Sequence, residues 1–283
     1  MAVKSANGFI PEVWDAVIKR AYESSLVSKS IVDDRSGMVS EGDTIHFNGL
    51  SDPAVASYSA ASALTYETLV DSRVSLLVDQ QNKYSFIVDD IEKAMANVDL
   101  RGSQAKRAGY ALAKTCDSYV FGATTTAKCG STITDATLDT VTAISLFSQI
   151  SRKLEEANVP MGEKWVVIPP WVKEKLLLAG VVHQINDGMD GKKGGMKWAN
   201  YLDLDIYIST NLRNYVAGSG ACSAFAGSYR AIGYAESLLK NEVLKDADYF
   251  GDFCRGLQVF GSEVIFPTEL INLQLTYYAE STI

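Results

Sequence analysis

The stretch Asp43–Val78 reads DTIHFNGLSDPAVASYSAASALTYETLVDSRVSLLV. Thr44 to Phe47 reads as a short strand, and Asn48-Gly49 with Ser51-Asp52-Pro53 are strong turn signals. The tip, Pro53 to Tyr66, carries no charge. From Leu64 the chain returns as one long alternating strand. Leu64, Tyr66, Val70, Val74, Leu76 and Val78 share one face, and Thr65, Glu67, Asp71, Arg73, Ser75 and Asp79 lie mostly opposite. Such a strand reaches about 50 Å at roughly 3.3 Å per residue, too far to bury its apolar face within its own globule. It is expected to lie on something else, and another copy of the same chain is the natural partner.

Working outward, Asp79 to Lys83 reads as a polar turn, Tyr84 to Val88 as a strand, and Asp89-Asp90 as the cap of a short helix from Ile91 to Asn97. Gly102 to Phe121 is the clearest helix. Ala105, Ala108, Gly109, Leu112, Ala113, Cys116, Tyr119 and Val120 form its apolar stripe. The stripe is built mainly of small residues, so a partner element must approach closely. Lys106, Arg107, Tyr110, Lys114 and Asp117 are assigned to the opposite face. Upstream, Pro11 opens a helix whose stripe is Trp14, Val17, Ile18, Ala21 and Tyr22. That pattern fits a core-facing helix and a terminal arm docked on a neighbour equally well.

Beyond a Thr/Gly-rich linker, Ala123 to Thr134, the organisation changes. A helix is expected from Leu138 to Leu154, a buried strand at Trp165–Ile168, and a helix from Trp171 to Leu178. Gly180 to Lys197 reads as a glycine-rich mobile loop. Leu204 to Ile208 and Ala224 to Ala226 read as strands, and Tyr229 to Leu239 as a helix. The end of the chain is expected as strands at Leu257–Phe260, Glu263–Phe266 and Leu270–Tyr278.

The chain has 283 residues, 47% hydrophobic and 21% charged, with a net charge of −8. That balance argues against a protein whose main business is gripping nucleic acid, which needs a clustered basic face. No apolar run approaches the roughly 20 residues of a membrane span. Cys116, Cys129, Cys222 and Cys254 lack CxxC spacing and are read as buried free thiols of a reducing cytoplasm.

Searching for chemistry finds no site. His46 and His183 are the two histidines, no GxSxG elbow occurs, and no HExxH or CxxC could hold zinc. Gly218-Ser-Gly220 lacks the third glycine of a dinucleotide fingerprint, and no Ser/Thr follows the lysines of Gly191–Gly194. The neighbouring carboxylates Asp33-Asp34, Asp89-Asp90 and Glu155-Glu156 point apart on any regular element. No catalytic residue, cofactor or metal is implied.

The opening GFIPEVWDAVIKRAYESSLVSKSIVDD, the phrase GDTIHF, the hairpin, the helix ending YVFG, and the phrases EKWVVIPP, DIYISTNL, AFAGSYRAIGYA and VFGSEVIFPTELINL occur in an order that resembles the major capsid proteins of tailed double-stranded DNA phages. The resemblance implies the Hong Kong 97-type fold, an α+β architecture. Its expected parts are an N-terminal arm (1–42), an extended β-hairpin loop (43–78), a peripheral domain with a long spine helix (79–133), an axial α/β domain (134–245) and peripheral C-terminal strands (246–283). It implies neighbour contacts by Ala54, Tyr58, Leu64, Tyr66 and Val70 of the loop, and by Trp14, Val17 and Tyr22 of the arm. Arg101, Lys106, Arg107 and Lys114 would form an inward-facing basic strip. The implied partners are further copies in hexamers and pentamers, a separate scaffolding protein, a portal protein, a decoration protein, and loosely held packaged DNA. A membrane is not among them. An encapsulin-type nanocompartment shell shares the fold, and a hydrolase or transferase without a recognisable motif is the alternative of another class.

Some members weld neighbours through a lysine on the extended loop, yet no lysine occurs here between Lys29 and Lys83. Boiled in SDS, assembled protein should therefore run as the single chain. A ladder of covalent multimers would contradict this.

Overall fold

A computed structural model describes residues 26–38, 44–50, 55, 57, 66, 68, 71–90, 100–122, 127–180, 197–216, 221–245 and 250–277. The helix expected at 91–97 and the glycine-rich loop, apart from its end residues 180 and 197, lie outside these residues, as does the arm helix.

Trp165-Val-Val-Ile lacks alternation, so both of its faces must be covered. Strand β6 (Lys164–Ile168) is buried at every position. Parallel β8 (Leu204–Ile208) and antiparallel β9 (Ala221–Ser228) flank it. The six-stranded sheet is completed by β5 (Ser131–Leu138), β7 (Ala199–Tyr201) and β12 (Leu270–Tyr277), in the order β5-β12-β9-β6-β8-β7. Helix α2 (Thr140–Glu156) starts in a reciprocal cap. Asp139 accepts from the Val141 and Thr142 N–H groups at 3.0 and 2.7 Å, and its own N–H donates to Thr142 Oγ1 at 2.8 Å. The helix buries Ala143, Leu146, Phe147, Ile150 and Leu154. Helix α3 (Pro170–Leu178) follows, with proline at its first position. The wholly buried Lys164 ammonium reaches Glu155 at 3.0 Å and holds that carboxyl below its ordinary range.

A second sheet has the order β1-β10-β11-β4, from β1 (Asp33–Asp34), β10 (Ile232–Lys245), β11 (Gly251–Val264) and β4 (Gln80–Asp89). Helix α1 (Leu100–Val120) packs against it, with the Tyr119 ring edge-on to Phe260 at 5.4 Å. The expected small-residue stripe is the packed face: Ala105, Leu112, Ala113, Cys116 and Val120 are buried. Phe121, just past the helix, stacks on Phe225 of β9 at 6.2 Å, so one hydrophobic core runs through both sheets.

Among the described residues, strands β2 (Thr44–Leu50) and β3 (Asp71–Leu77) pair only with each other. This ribbon is the described part of the hairpin, and its base sits on the second sheet. Leu76, Val78 and Ala235 form a small separate cluster with Ile45, Phe47 and Val259. The alternation holds where it is described: Leu76 and Val78 are buried and Leu77 is exposed.

Several expectations are corrected. Asp79–Lys83 is no turn, because β4 begins at Gln80 and places polar side chains on its open face. The Thr/Gly-rich linker ends in β5, a β-branched strand that pairs in parallel with β12. Tyr229–Leu239 is no helix. Ile232–Lys245 is strand β10, in register with β11 along its length apart from one bulge at Glu236/Leu238. Pairing there overrides the helix-favouring Ala, Glu, Leu and Lys of the segment. Residues 257–260 and 263–264 are one strand rather than two. Asp117, assigned to the polar face, is wholly buried. Strand β10 belongs to the second sheet and β12 to the six-stranded one.

The ribbon base depends on two glycines. A methyl group at Gly261 would run into the Leu77 carbonyl and come within 2.9 Å of Val78 Cα. At Gly233 it would lie 2.8 Å from Ile265 Cδ1 and 3.2 Å from both Leu76 and Phe47. Gly261→Ala should destabilise the fold by roughly 1–3 kcal/mol in chemical denaturation, the usual cost of overpacking. An unchanged midpoint would contradict the close seat.

Candidate assembly surfaces

The ribbon carries the first surface. Beyond its paired part, Val55 is 99% and Tyr66 88% exposed. Of the loop residues singled out from sequence, Tyr66 is thus placed in solvent. Ala54, Tyr58, Leu64 and Val70 lie outside the described residues, as do Trp14, Val17 and Tyr22 of the arm.

The outer face of the second sheet continues away from the ribbon. Residues directly opposite each other share a face, so the register defines its rows. Val259 and Gln81 come first, then Lys240, Leu257 and Lys83, then Glu242, Arg255 and Ser85, and last Leu244, Phe253 and Ile87. Glu242 is clamped by Lys240 at 2.6 Å and by Arg255 at 2.6 and 2.9 Å, which holds its carboxyl below the ordinary range. The last row is apolar and open. Ile87 and Leu244 are exposed, and a groove of about 700 Å³ runs among Ile87, Leu244, Phe253 and Arg255. Sequence reasoning missed this surface because the row appears only once β10 is a strand. On the inner face, the Tyr84 ring crosses Gly256, and its hydroxyl donates to Asn241 Oδ1 at 2.6 Å.

Helix α1 carries the third surface. Lys106, Arg107, Tyr110 and Lys114 are exposed. Arg101 lies in the first turn of the same helix. The helix has one acid, Asp117, and it faces inward.

Nothing in the described residues assembles chemistry. They contain no group of three or more His, Cys, Asp and Glu side chains able to hold a metal ion. His46 faces Ser75 across the exposed ribbon, its Nδ1 3.0 Å from Oγ. All four cysteines are free thiols, and burial pushes Cys129 and Cys222 up to about 12, far from a reactive thiolate.

No protein-family profile matches the sequence, and no curated protein matches it. Solved structures do. A chain from Mycobacterium phage Che8 is 26% identical, with a TM-score of 0.71 over 88% of this chain and 90% of that one. The capsid of cyanophage P-SCSP1u is 19% identical, with a TM-score of 0.67 over 88% and 87%. A virus-like particle from Pyrococcus furiosus is 12% identical, with a TM-score of 0.62 over 94% and 99%. The chain has the Hong Kong 97-type fold of tailed-phage major capsid proteins.

Proposed function

We propose that the chain is a major capsid subunit that self-assembles into the icosahedral shell around a phage's double-stranded DNA. One observation carries this reading: the match to phage capsid structures spans nearly nine-tenths of both chains, as with cyanophage P-SCSP1u. A shell subunit needs no active site. Its work is done by many weak interfaces repeated in a closed lattice.

On this reading the ribbon is a clasp. Its base is fixed on its own second sheet, and its charge-free tip, Ala54, Tyr58, Leu64 and Tyr66 included, packs with Val70 on the neighbouring subunit without a covalent link. Trp14, Val17 and Tyr22 dock the arm, residues 1–42. The second sheet and α1 form the peripheral domain, and the six-stranded sheet with α2 and α3 forms the axial domain around the five- and six-fold axes. Sheet membership supports counting β10 with the former and β12 with the latter. Subunits assemble in the host cytoplasm on a separate scaffolding protein, join a portal and a decoration protein, and end in the virion. No enzymatic step is assigned to the chain.

The P. furiosus particle supports a second reading, a nanocompartment shell of the encapsulin type. The phage capsids outweigh it, since they make up most of the similar structures and include those with the higher TM-scores.

Deleting Ala54–Ala63 should leave a folded chain by circular dichroism and abolish stable shells in sedimentation. Normal particles would sink the clasp role. The strip Arg101, Lys106, Arg107 and Lys114 faces the packaged DNA in this proposal. Changing Lys106, Arg107 and Lys114 to Gln should weaken binding of assembled shells to DNA fragments and flatten its salt dependence, each lost phosphate contact reducing the slope by about 0.9. An unchanged slope would remove the strip from the account.

A further inference from the structure

The outer face of the second sheet is covered at one end only. At the ribbon's root, Val259 and Ala235 lie under Leu76 and Val78. From Val259 to Phe253 strand β11 runs on for roughly 20 Å, and there the row Leu244, Phe253 and Ile87 is apolar and open. Between the two ends the rows carry Lys83, Lys240 and Arg255 against Glu242, an excess of positive charge. The groove at the apolar row is continued by a second one of about 460 Å³, along Lys83, Lys240, Arg255 and Leu257. The two share Ser85 and Arg255, so they form one trough, apolar at its end and cationic in its middle.

The chain's own ribbon does not lie back over this face, because Lys83, Ser85, Ile87 and Arg255 are exposed. Strand β3 runs into the root at Gly261, and β4 runs on from it alongside β11 to the apolar row. Ribbon and row thus stand at the two ends of one continuous run of chain. An occupant must bring apolar side chains to the row and negative charge to the cations. The stretch from Thr44 to Val70 meets both needs. It holds no lysine or arginine, and its acids, Asp52 and Glu67, bracket the uncharged Pro53–Tyr66. Leu64 stands about 10 Å of extended chain from Glu67, and the apolar row lies about 7 Å from the row of Arg255 and about 13 Å from that of Lys240. One extended segment can therefore hold Leu64 in the row and Glu67 over the cations. Residues 1–25 fit less well, since Lys4, Lys19 and Arg20 balance Glu12, Asp15 and Glu23.

We infer that this trough is the seat of a second copy's ribbon tip, with Asp52 and Glu67 of that tip set against Lys83, Lys240 and Arg255. The contact joins two different surfaces, so it is head-to-tail. Each copy gives one ribbon and receives one, and the chain of contacts closes into a ring when the rotation between copies allows. Opposite charges across the seat fix the register and reject misplaced tips. The inference rests on the shell reading, which supplies the neighbour.

Charge exchange in the full chain tests it, read as the shell fraction in sedimentation, with circular dichroism to confirm folding. Lys83→Glu with Lys240→Glu should lower the shell fraction about tenfold or more, because like charges then face each other. Asp52→Lys with Glu67→Lys should do the same, and all four changes together should recover most of the wild-type shells. Leu244→Asp should remove shells from both the wild-type and the fourfold-exchanged chain. Normal shells from either pair, or a fourfold exchange no better than its pairs, would overturn the inference, while wild-type shells would keep the capsid reading intact. Loss in the lysine pair with none in the acid pair would give the seat to another occupant and overturn it as well. A wild type that builds no shell would remove both.

Discussion

The approach of the ribbon base to the second sheet is the constraint on which the rest of the structure depends. At Gly261 the end of β3 lies so close to β11 that no side chain fits between them, and at Gly233 a Cβ would crowd the Ile265, Leu76 and Phe47 side chains. A two-stranded ribbon is at best marginally stable in water on its own. Leu76 and Val78, buried over Ala235 and Val259, supply the missing hydrophobic contact at one end only. The other end, with Val55 and Tyr66 in solvent, is left to be covered from outside. A projecting element with a fixed root and an uncovered, charge-free tip suits a protein whose stable state is a lattice.

The rest of the fold provides a rigid body for that projection. One core spans both sheets, joined where Phe121, just past α1, meets Phe225 of the six-stranded sheet. Small residues on α1 let the helix pack closely, as the stripe from Ala105 to Val120 requires. The polar ties are placed at the edges of this core. Arg230 forks onto Glu269, which also accepts from Ser228 Oγ at 2.5 Å, and Lys164 meets Glu155. Asp117 differs from these in that the partners it shows among the described residues are neutral.

Elements whose burial follows their periodicity were legible in the sequence. Helix α1, helix α2, the unbroken β6 and the alternation of β3 could all be read from apolar spacing alone. Strand β10 could not, because Ile232–Lys245 is rich in helix formers and becomes a strand only through its long pairing with β11. The first half of β4 and strand β5 hid behind polar and threonine-rich letters, since an open sheet face carries no hydrophobic signal. Asp117 was misplaced for a related reason. Helical spacing sets it near the edge of the stripe, and only the Ser28 donors, about ninety positions away, explain a carboxyl turned inward. The surfaces were legible in part: the uncharged tip shows in composition, whereas the apolar row Leu244, Phe253 and Ile87 exists only in the register.

Electron microscopy of the purified full chain, expressed with and without the proposed scaffolding protein, tests the central claim most directly. The account predicts closed, hollow, icosahedral shells of uniform size. A chain that stayed a monodisperse monomer under both conditions would contradict it.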